Sequence, residues 1–347
     1  SEMCIRDSFY DLRVPETRAA QAEMARQHGV EAFCYWHYWF AGKRLLERPF
    51  NEVLESGEPD FPFCLAWANE SWTGVWHGAP GRILIEQTYP GEEDHRRHFD
   101  WLLRAFSDRR YVTVEGKPLF VVYRPKLLPD CARVLELWRN LASRAGLPGL
   151  HLVGLTYEAE WRGRDLGFDA LCYSTNASHA QVPAAFLGAR LQRANRLAPV
   201  ARRIGRIIYP GPLNVYWYRD VIPSLLPPEE RAGECYPCVL PNWDNTPRSG
   251  LRGLVLHDST PELFAIHLRK ALEQVRCVPE SRRIVFVKSW NEWAEGNHLE
   301  PDMRFGHGYL RALRDEVLCA TMPSRPDFDG EVGVPVNLAS DARDVSK

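Results

Sequence analysis

At 347 residues, with 45% hydrophobic and 25% charged side chains, the chain is long enough to bury one large core. Its 43 basic and 45 acidic residues give a formal net charge of −2, which offers no basic patch to nucleic acid, and no apolar run approaches the ~20 residues that span a bilayer. The remaining class is a soluble α/β enzyme, and 12 Trp, 13 Tyr and 15 Phe, several beside polar residues rather than at helical core spacing, favour a carbohydrate cleft.

Ser1–Ser8 contain Met3 but no initiating Met and join abruptly to Phe9-Tyr10-Asp11-Leu12, so residues 1–8 read as non-native sequence outside the fold. Pro15 and Glu16 open a helix that runs to about His28 and is stopped by Gly29. Strand signals follow at Val30–Trp36, Phe61–Trp67, Lys117–Tyr123, Leu150–Thr156, Phe168–Tyr173, Cys235–Leu240 and Ile284–Val287. Between them lie helical signals at Lys43–Glu55, Glu92–Phe106, Cys131–Ala145 and Pro261–Val275, with a last helix at Gly308–Leu318. Glu47, Glu52 and Glu55, among Lys43, Arg44 and Arg48, read as a solvated helix face. The Arg- and Pro-rich stretch 178–234 interrupts the pattern as an insertion, and 321–347, with scattered Pro, Asp and Gly, reads as a disordered tail. Regular strand–helix alternation implies a parallel sheet in one domain over residues 9–320.

Nine cysteines, an odd number, show no disulfide framework; Cys34, Cys64 and Cys172 sit in apolar runs as small hydrophobes. Cys235 and Cys238 have a redox spacing but open a strand rather than cap a helix, and no second Cys or His pair accompanies them for zinc. No metal and no cofactor is expected, and unpaired thiols favour the cytoplasm.

Chemistry gathers at the strand exits. Lys288-Ser289-Trp290-Asn291-Glu292-Trp293-Ala294-Glu295-Gly296 follows the apolar run Arg283–Val287, which reads as a strand buried on both faces, and puts two carboxylates three residues apart at its carboxyl end. Flanking Trp290 and Trp293 suit sugar rings, and an aromatic wall raises a neighbouring carboxyl's pKa. Other exits present Tyr35-Trp36-His37-Tyr38, Trp67 with Asn69, Glu70 and Trp72, then Tyr123-Arg124, Tyr157-Glu158 and Asn242-Trp243-Asp244. Trp36 and Trp217 read as packed aromatics, Trp67 and Trp243 as cleft residues, and His37 taken alone as a structural hydrogen-bonder. Together the rim gives the candidate substrate-binding set Tyr35, His37, Tyr38, Trp67, Asn69, Glu70, Trp72, Tyr123, Asn242, Trp243, Asp244, Trp290, Asn291 and Trp293.

Five segments carry a family likeness: Phe33–Phe40, Leu65–Trp72, Gly116–Phe120, Pro241–Arg248, and Ser289–Gly296 with Leu299-Glu300-Pro301. From about Tyr10 to Leu318 the chain resembles the WbsX-type glycosyltransferases, whose catalytic domain is similar to glycoside hydrolase family 99, the endo-α-mannosidase family. The resemblance implies a (β/α)8 TIM barrel, an oligosaccharide or polysaccharide substrate such as a bacterial α-mannoside or lipopolysaccharide, and catalytic acids at Glu292 and Glu295. It further implies that the first Glu is a base on the sugar's own 2-hydroxyl and the second an acid/base; the residues by themselves give two acids without assigning the roles. Members of the family carry an upstream strand and aromatic loop, so the expected fold is a barrel without its first strand, with Val30–Trp36 and Ile284–Val287 facing each other unpaired. No Asp-x-Asp motif or Gly-rich phosphate loop marks a nucleotide-sugar transferase, yet transfer stays open beside hydrolysis, as does a non-catalytic carbohydrate-binding barrel.

Overall fold

A computed structural model describes residues 10–74, 79–158, 160–174, 214–250 and 253–321. The expectations for 1–8, most of the insertion, and the tail after residue 321 lie outside the described residues.

Seven parallel strands form one curled sheet: β1 (Phe33–His37), β2 (Phe63–Trp67), β3 (Lys117–Val122), β4 (His151–Thr156), β5 (Ala170–Tyr173), β6 (Cys235–Val239) and β7 (Phe286–Val287), each hydrogen-bonded to the next in chain order. The helices are α1 (Pro15–Gln27), α2 (Arg48–Ser56), α3 (Glu92–Phe106), α4 (Cys131–Arg144), α5 (Pro261–Arg276) and α6 (Gly308–Thr321). Strand, helix, next parallel strand is the barrel pattern, and it turns every strand's carboxyl end to one rim. No ladder joins β1 to β7, although the Phe33 and Trp290 rings meet edge to face at 5.2 Å across the opening.

The core lies between the sheet and α2–α4, where Phe63, Leu65, Trp67, Phe99, Leu102, Phe120, Leu135 and Trp138 are essentially inaccessible. At roughly 25 cal/mol per Å2, a buried Trp contributes about 4 kcal/mol. The far side is looser. Ile284, Val285, Phe286 and Val287 are all half-buried rather than covered on both faces, and only two residues join the ladder, because among the described residues β7 has a strand on one side only.

Two local departures from the sequence reading have backbone causes. Val30 precedes β1 because its N–H closes the α1 terminus on the Ala25 carbonyl (3.0 Å), with Gly29 at φ +80° donating to Arg26 O, so it is spent on a helix stop. Lys43–Arg44 are not helical. Ala41 and Gly42, both at positive φ, turn Trp39–Phe40 back onto them as a hairpin, and α2 starts only at Arg48. Of the insertion, Asn214–Trp217 pairs in parallel with Leu254–His257 outside the main sheet. Among the described residues no helix is long and apolar enough to cross a membrane.

Candidate active site

After β7 the chain folds back on itself. Asn291–Glu292 pairs antiparallel with Asn297–His298 around a single 3-10 turn, Trp293–Glu295. Ser289 locks the loop: its Oγ donates to Asn297 O (2.8 Å) and accepts from Glu292 N–H (3.1 Å), while its own N–H donates to Asn297 Oδ1 (3.1 Å). Gly296 is favoured twice, by its φ of +57° and because a Cβ there would lie a tight 3.3 Å from the Asp244 nitrogen. That close approach lets Asp244 N–H donate to Glu295 O at 2.7 Å, which stitches the β6 exit to the β7 exit.

Asp244 also shapes the next turn. Its Oδ1 accepts from Thr246 N–H (2.9 Å) and Oγ1 (2.6 Å), opening the short helical turn Thr246–Ser249 that carries Arg248. The Arg248 guanidinium then reaches both acids, with Nη2 2.7 Å from Glu292 Oε1 and Nη1 2.9 Å from Glu295 Oε1. Lys288 Nζ lies 4.6 Å from the Trp243 ring centroid, a cation–π contact that holds it beside the pair. Burial pushes Glu292 above the ordinary carboxylate range; Glu295 adds to the rise, and Arg248 and Lys288 oppose it. Tyr38 faces the same space. Burial first, then the charges of Glu292 and Glu70, push its hydroxyl up to about 12.

The exits of β2 to β4 make the opposite lip. Asn69, fully buried, accepts from Arg124 N–H through Oδ1 (2.7 Å) and donates through Nδ2 to Arg124 O (2.9 Å) and the Tyr89 hydroxyl (3.0 Å), so it clamps the β3 exit rather than facing solvent. Arg124 Nε donates to Glu70 (2.9 Å), and the guanidinium lies 4.5 Å and 5.1 Å from the Tyr123 and Tyr157 rings. Tyr157 donates to the Tyr123 hydroxyl (3.0 Å), and Trp36 stands edge-on to Tyr123 at 5.1 Å. Trp72 stands edge-on to Tyr38 at 5.1 Å.

Several expected cleft residues are placed elsewhere. Trp67 is 1% exposed and packs on Trp138, His98 and Tyr89. Tyr35 packs on Phe50 and Phe63, with its hydroxyl pushed up to about 12 by burial. His37 is buried between His98 and Trp101, its Nε2 2.9 Å from His98 Nε2, and desolvation holds its pKa well below the ordinary value. Register explains all three. Tyr35 pairs with Leu65 and His37 with Trp67, so with side chains alternating along a strand all four point to the helix layer. Trp36, expected as packed, points the other way and is 44% exposed. Trp290 fills the opening beside Phe33; Trp293 stacks on His298 at 3.7 Å and donates to Glu300 (2.5 Å). Asn242 accepts from Trp243 N–H (2.8 Å), and Asn291 donates to the Tyr10 hydroxyl (3.0 Å). Arg124 and Tyr157 are named at strand exits by the sequence but not in the candidate binding set, and Lys288 and above all Arg248 have no role from sequence. Arg248 is a lone basic residue 44 positions before Glu292, and no spacing signals that they meet.

The mouth thus holds two carboxylates on one guanidinium, one of them with raised proton affinity, walled by Tyr38, Trp243 and Lys288. Among the described residues no three His, Cys, Asp or Glu side chains group to hold a metal ion. The profile of the glycosyltransferase WbsX family matches residues 2–313. The chain belongs to the WbsX glycosyltransferase family. A relative from Xanthomonas campestris pv. campestris strain B100, "Uncharacterized protein WxcX", is 33% identical over 330 residues, 94% of this chain and 44% of WxcX. The chain therefore spans about half the length of the curated relatives it matches. Among solved structures, the GH99 endo-alpha-mannosidase from Bacteroides thetaiotaomicron aligns over 90% of this chain and 81% of its own, with TM-score 0.54 and 14% identity. A "Glycoside hydrolase-like protein" aligns over 89% and 87%, with TM-score 0.58 and 16% identity. At such identities these likenesses show the fold alone: this WbsX chain has the curled parallel sheet and flanking helices of those barrels.

Proposed function

We propose that this WbsX-family barrel cleaves or transfers α-mannoside-like linkages of a bacterial surface polysaccharide, with Glu292 and Glu295 as its acid/base pair. The observation that carries this reading is the placement of both carboxylates at the strand exits within reach of one guanidinium, with Glu292 raised in proton affinity by burial. Proton affinity of that kind suits a group that must take a proton from a sugar hydroxyl near neutral pH. Following the family resemblance, Glu292 removes the 2-hydroxyl proton and O2 attacks C1 from the face opposite the leaving oxygen. The C1–O bond breaks as Glu295 gives that oxygen a proton. Glu295 then takes a proton from an incoming hydroxyl, which attacks C1 and opens the three-membered ring, while Glu292 returns its proton to O2. Two displacements at C1 retain the anomeric configuration. The incoming hydroxyl can belong to water or to another sugar, and the WbsX family name favours a sugar.

The test is turnover of an aryl α-mannoside with an activated leaving group, with the anomer of the first product read by NMR, in the presence and absence of an acceptor oligosaccharide. A retained product that shifts from hydrolysis to transfer with acceptor supports the reading. An inverted product rejects the two-step path. Binding of mannosides without turnover assigns the barrel to recognition alone, and activity only with a nucleotide-activated sugar assigns it to the nucleotide-dependent transferases.

A further inference from the structure

Two-acid chemistry at a glycosidic bond does not itself demand a guanidinium between the acids, yet Arg248 touches both. We propose that Arg248 is a positioning residue for the Glu292–Glu295 pair: its two arms fix the carboxylates at one spacing and keep them from sharing a proton while the cleft is empty. This rests on the acid/base reading above.

Two carboxylates close enough to meet the two arms of one guanidinium repel each other, and without a counter-charge such a pair holds a proton between them. Contacts of 2.7 and 2.9 Å lie in the charge-assisted range, and Arg248 is only 13% exposed, so solvent screens them far less than a surface pair. Its aim is set from outside the pair. The Asp244 carboxylate accepts from Thr246 N–H and Oγ1 at the head of the turn that carries Arg248, and the Asp244 N–H holds the Glu295 carbonyl, so guanidinium and acids are built on one frame. The other groups facing the pair are less suited to the task. Lys288, from the β7 exit, is drawn over the Trp243 ring; Tyr38, from the β1 exit, is held neutral by burial; Glu70, behind Tyr38, is taken by Arg124. Among the described residues Arg248 is the cation in direct contact with both acids.

The experiment reads the carboxylates directly and needs no substrate. Protein labelled with 13C at the glutamate carboxyls is titrated by NMR as wild type, Arg248→Gln and Arg248→Lys, with Glu292→Gln and Glu295→Gln assigning the two resonances. Loss of the fork in Arg248→Gln is expected to raise the upper proton affinity of the pair by about tenfold or more, and the basic limb of kcat/KM on an aryl α-mannoside moves to higher pH with it. Arg248→Lys keeps a positive charge but cannot fork, so it recovers part of that change and also serves if the Gln variant does not fold. Titrations of both folded variants that superimpose on wild type overturn the inference and leave the catalytic reading standing. Near-wild-type turnover by Glu292→Gln or Glu295→Gln removes the catalytic reading, and Arg248's role with it, whatever the titration gives.

Discussion

Arg124 meets one carboxylate, Glu70, through Nε at 2.9 Å, with the two side chains 34% and 40% exposed, whereas Arg248 meets two, at 2.7 and 2.9 Å, and is itself 13% exposed. Both stand at the rim of the same curled sheet. The first is a wet ion pair that can trade its partner for a sugar hydroxyl at little cost, since exposed pairs are worth only ~0–1 kcal/mol. The second is partly dehydrated, so breaking it leaves charge without solvent, and its geometry is correspondingly fixed. The proposed acid/base pair sits on the side of the mouth where its guanidinium partner is the drier of the two.

The comparison breaks first on activity. Glu292→Gln and Glu295→Gln should each lower turnover by at least ~10²-fold, the scale of a lost general acid or base, while Glu70→Gln and Arg124→Gln should change kcat by less than about tenfold and act mainly on KM. Steady-state kinetics on an aryl α-mannoside decides it, and equal losses on both lips would erase the distinction.

Next comes the contrast between two tryptophans on opposite faces of the sheet, Trp67 in the helix layer and Trp36 beside Tyr123. Trp67→Ala empties a site packed by Trp138 and His98 and should cost about 3–5 kcal/mol in urea denaturation. Trp36→Ala, at a 44% exposed position, should cost less than about 1 kcal/mol and weaken glycan binding instead. Similar denaturation midpoints for the two would show that the register assigned to β1 and β2 is wrong.

A smaller effect concerns Glu292 itself. Its folded-state pKa is raised, so the native protein binds the proton more tightly than the unfolded chain; stability therefore falls as pH rises from the ordinary carboxylate range through the folded value, and above that the penalty is complete. At pH 7 Glu292→Gln should melt higher than wild type, and the gain should vanish once the pH falls below the ordinary carboxylate range. A Gln variant that melts lower at pH 7 would mean that the contact with Arg248 outweighs the burial cost. The smallest expected change is the loss of the Glu70–Arg124 pair, within ~1 kcal/mol of wild-type stability by the same measurement.

Much of this architecture is legible along the chain. Continuous apolar runs separated by amphipathic helices specify parallel strands, and α1, α3, α4 and α5 lie within two residues of their expected limits because their end signals are local. The Glu292–Glu295 spacing at a strand exit is legible too. Which aromatic faces the cleft was harder, because a strand's two faces differ by one residue; Trp36 and Trp67 exchanged roles on that account. Local chemistry also misled at Lys43, where consecutive positive-φ residues make a hairpin that charge patterning cannot reveal.

By itself the sequence determined the strand–helix alternation, the family, and the two acids at the mouth, all of which depend on periodicity or on neighbours within a few residues. Only the tertiary structure decided that Asn69 is a clamp, that Asp244 ties the Arg248 turn to the Glu295 carbonyl, and that Arg248 reaches Glu292 and Glu295 from a turn on the preceding strand's loop. Those roles arise where two strand exits approach within hydrogen-bond distance, and such an approach is set by how far the whole sheet curls, not by any residue's neighbours in the chain.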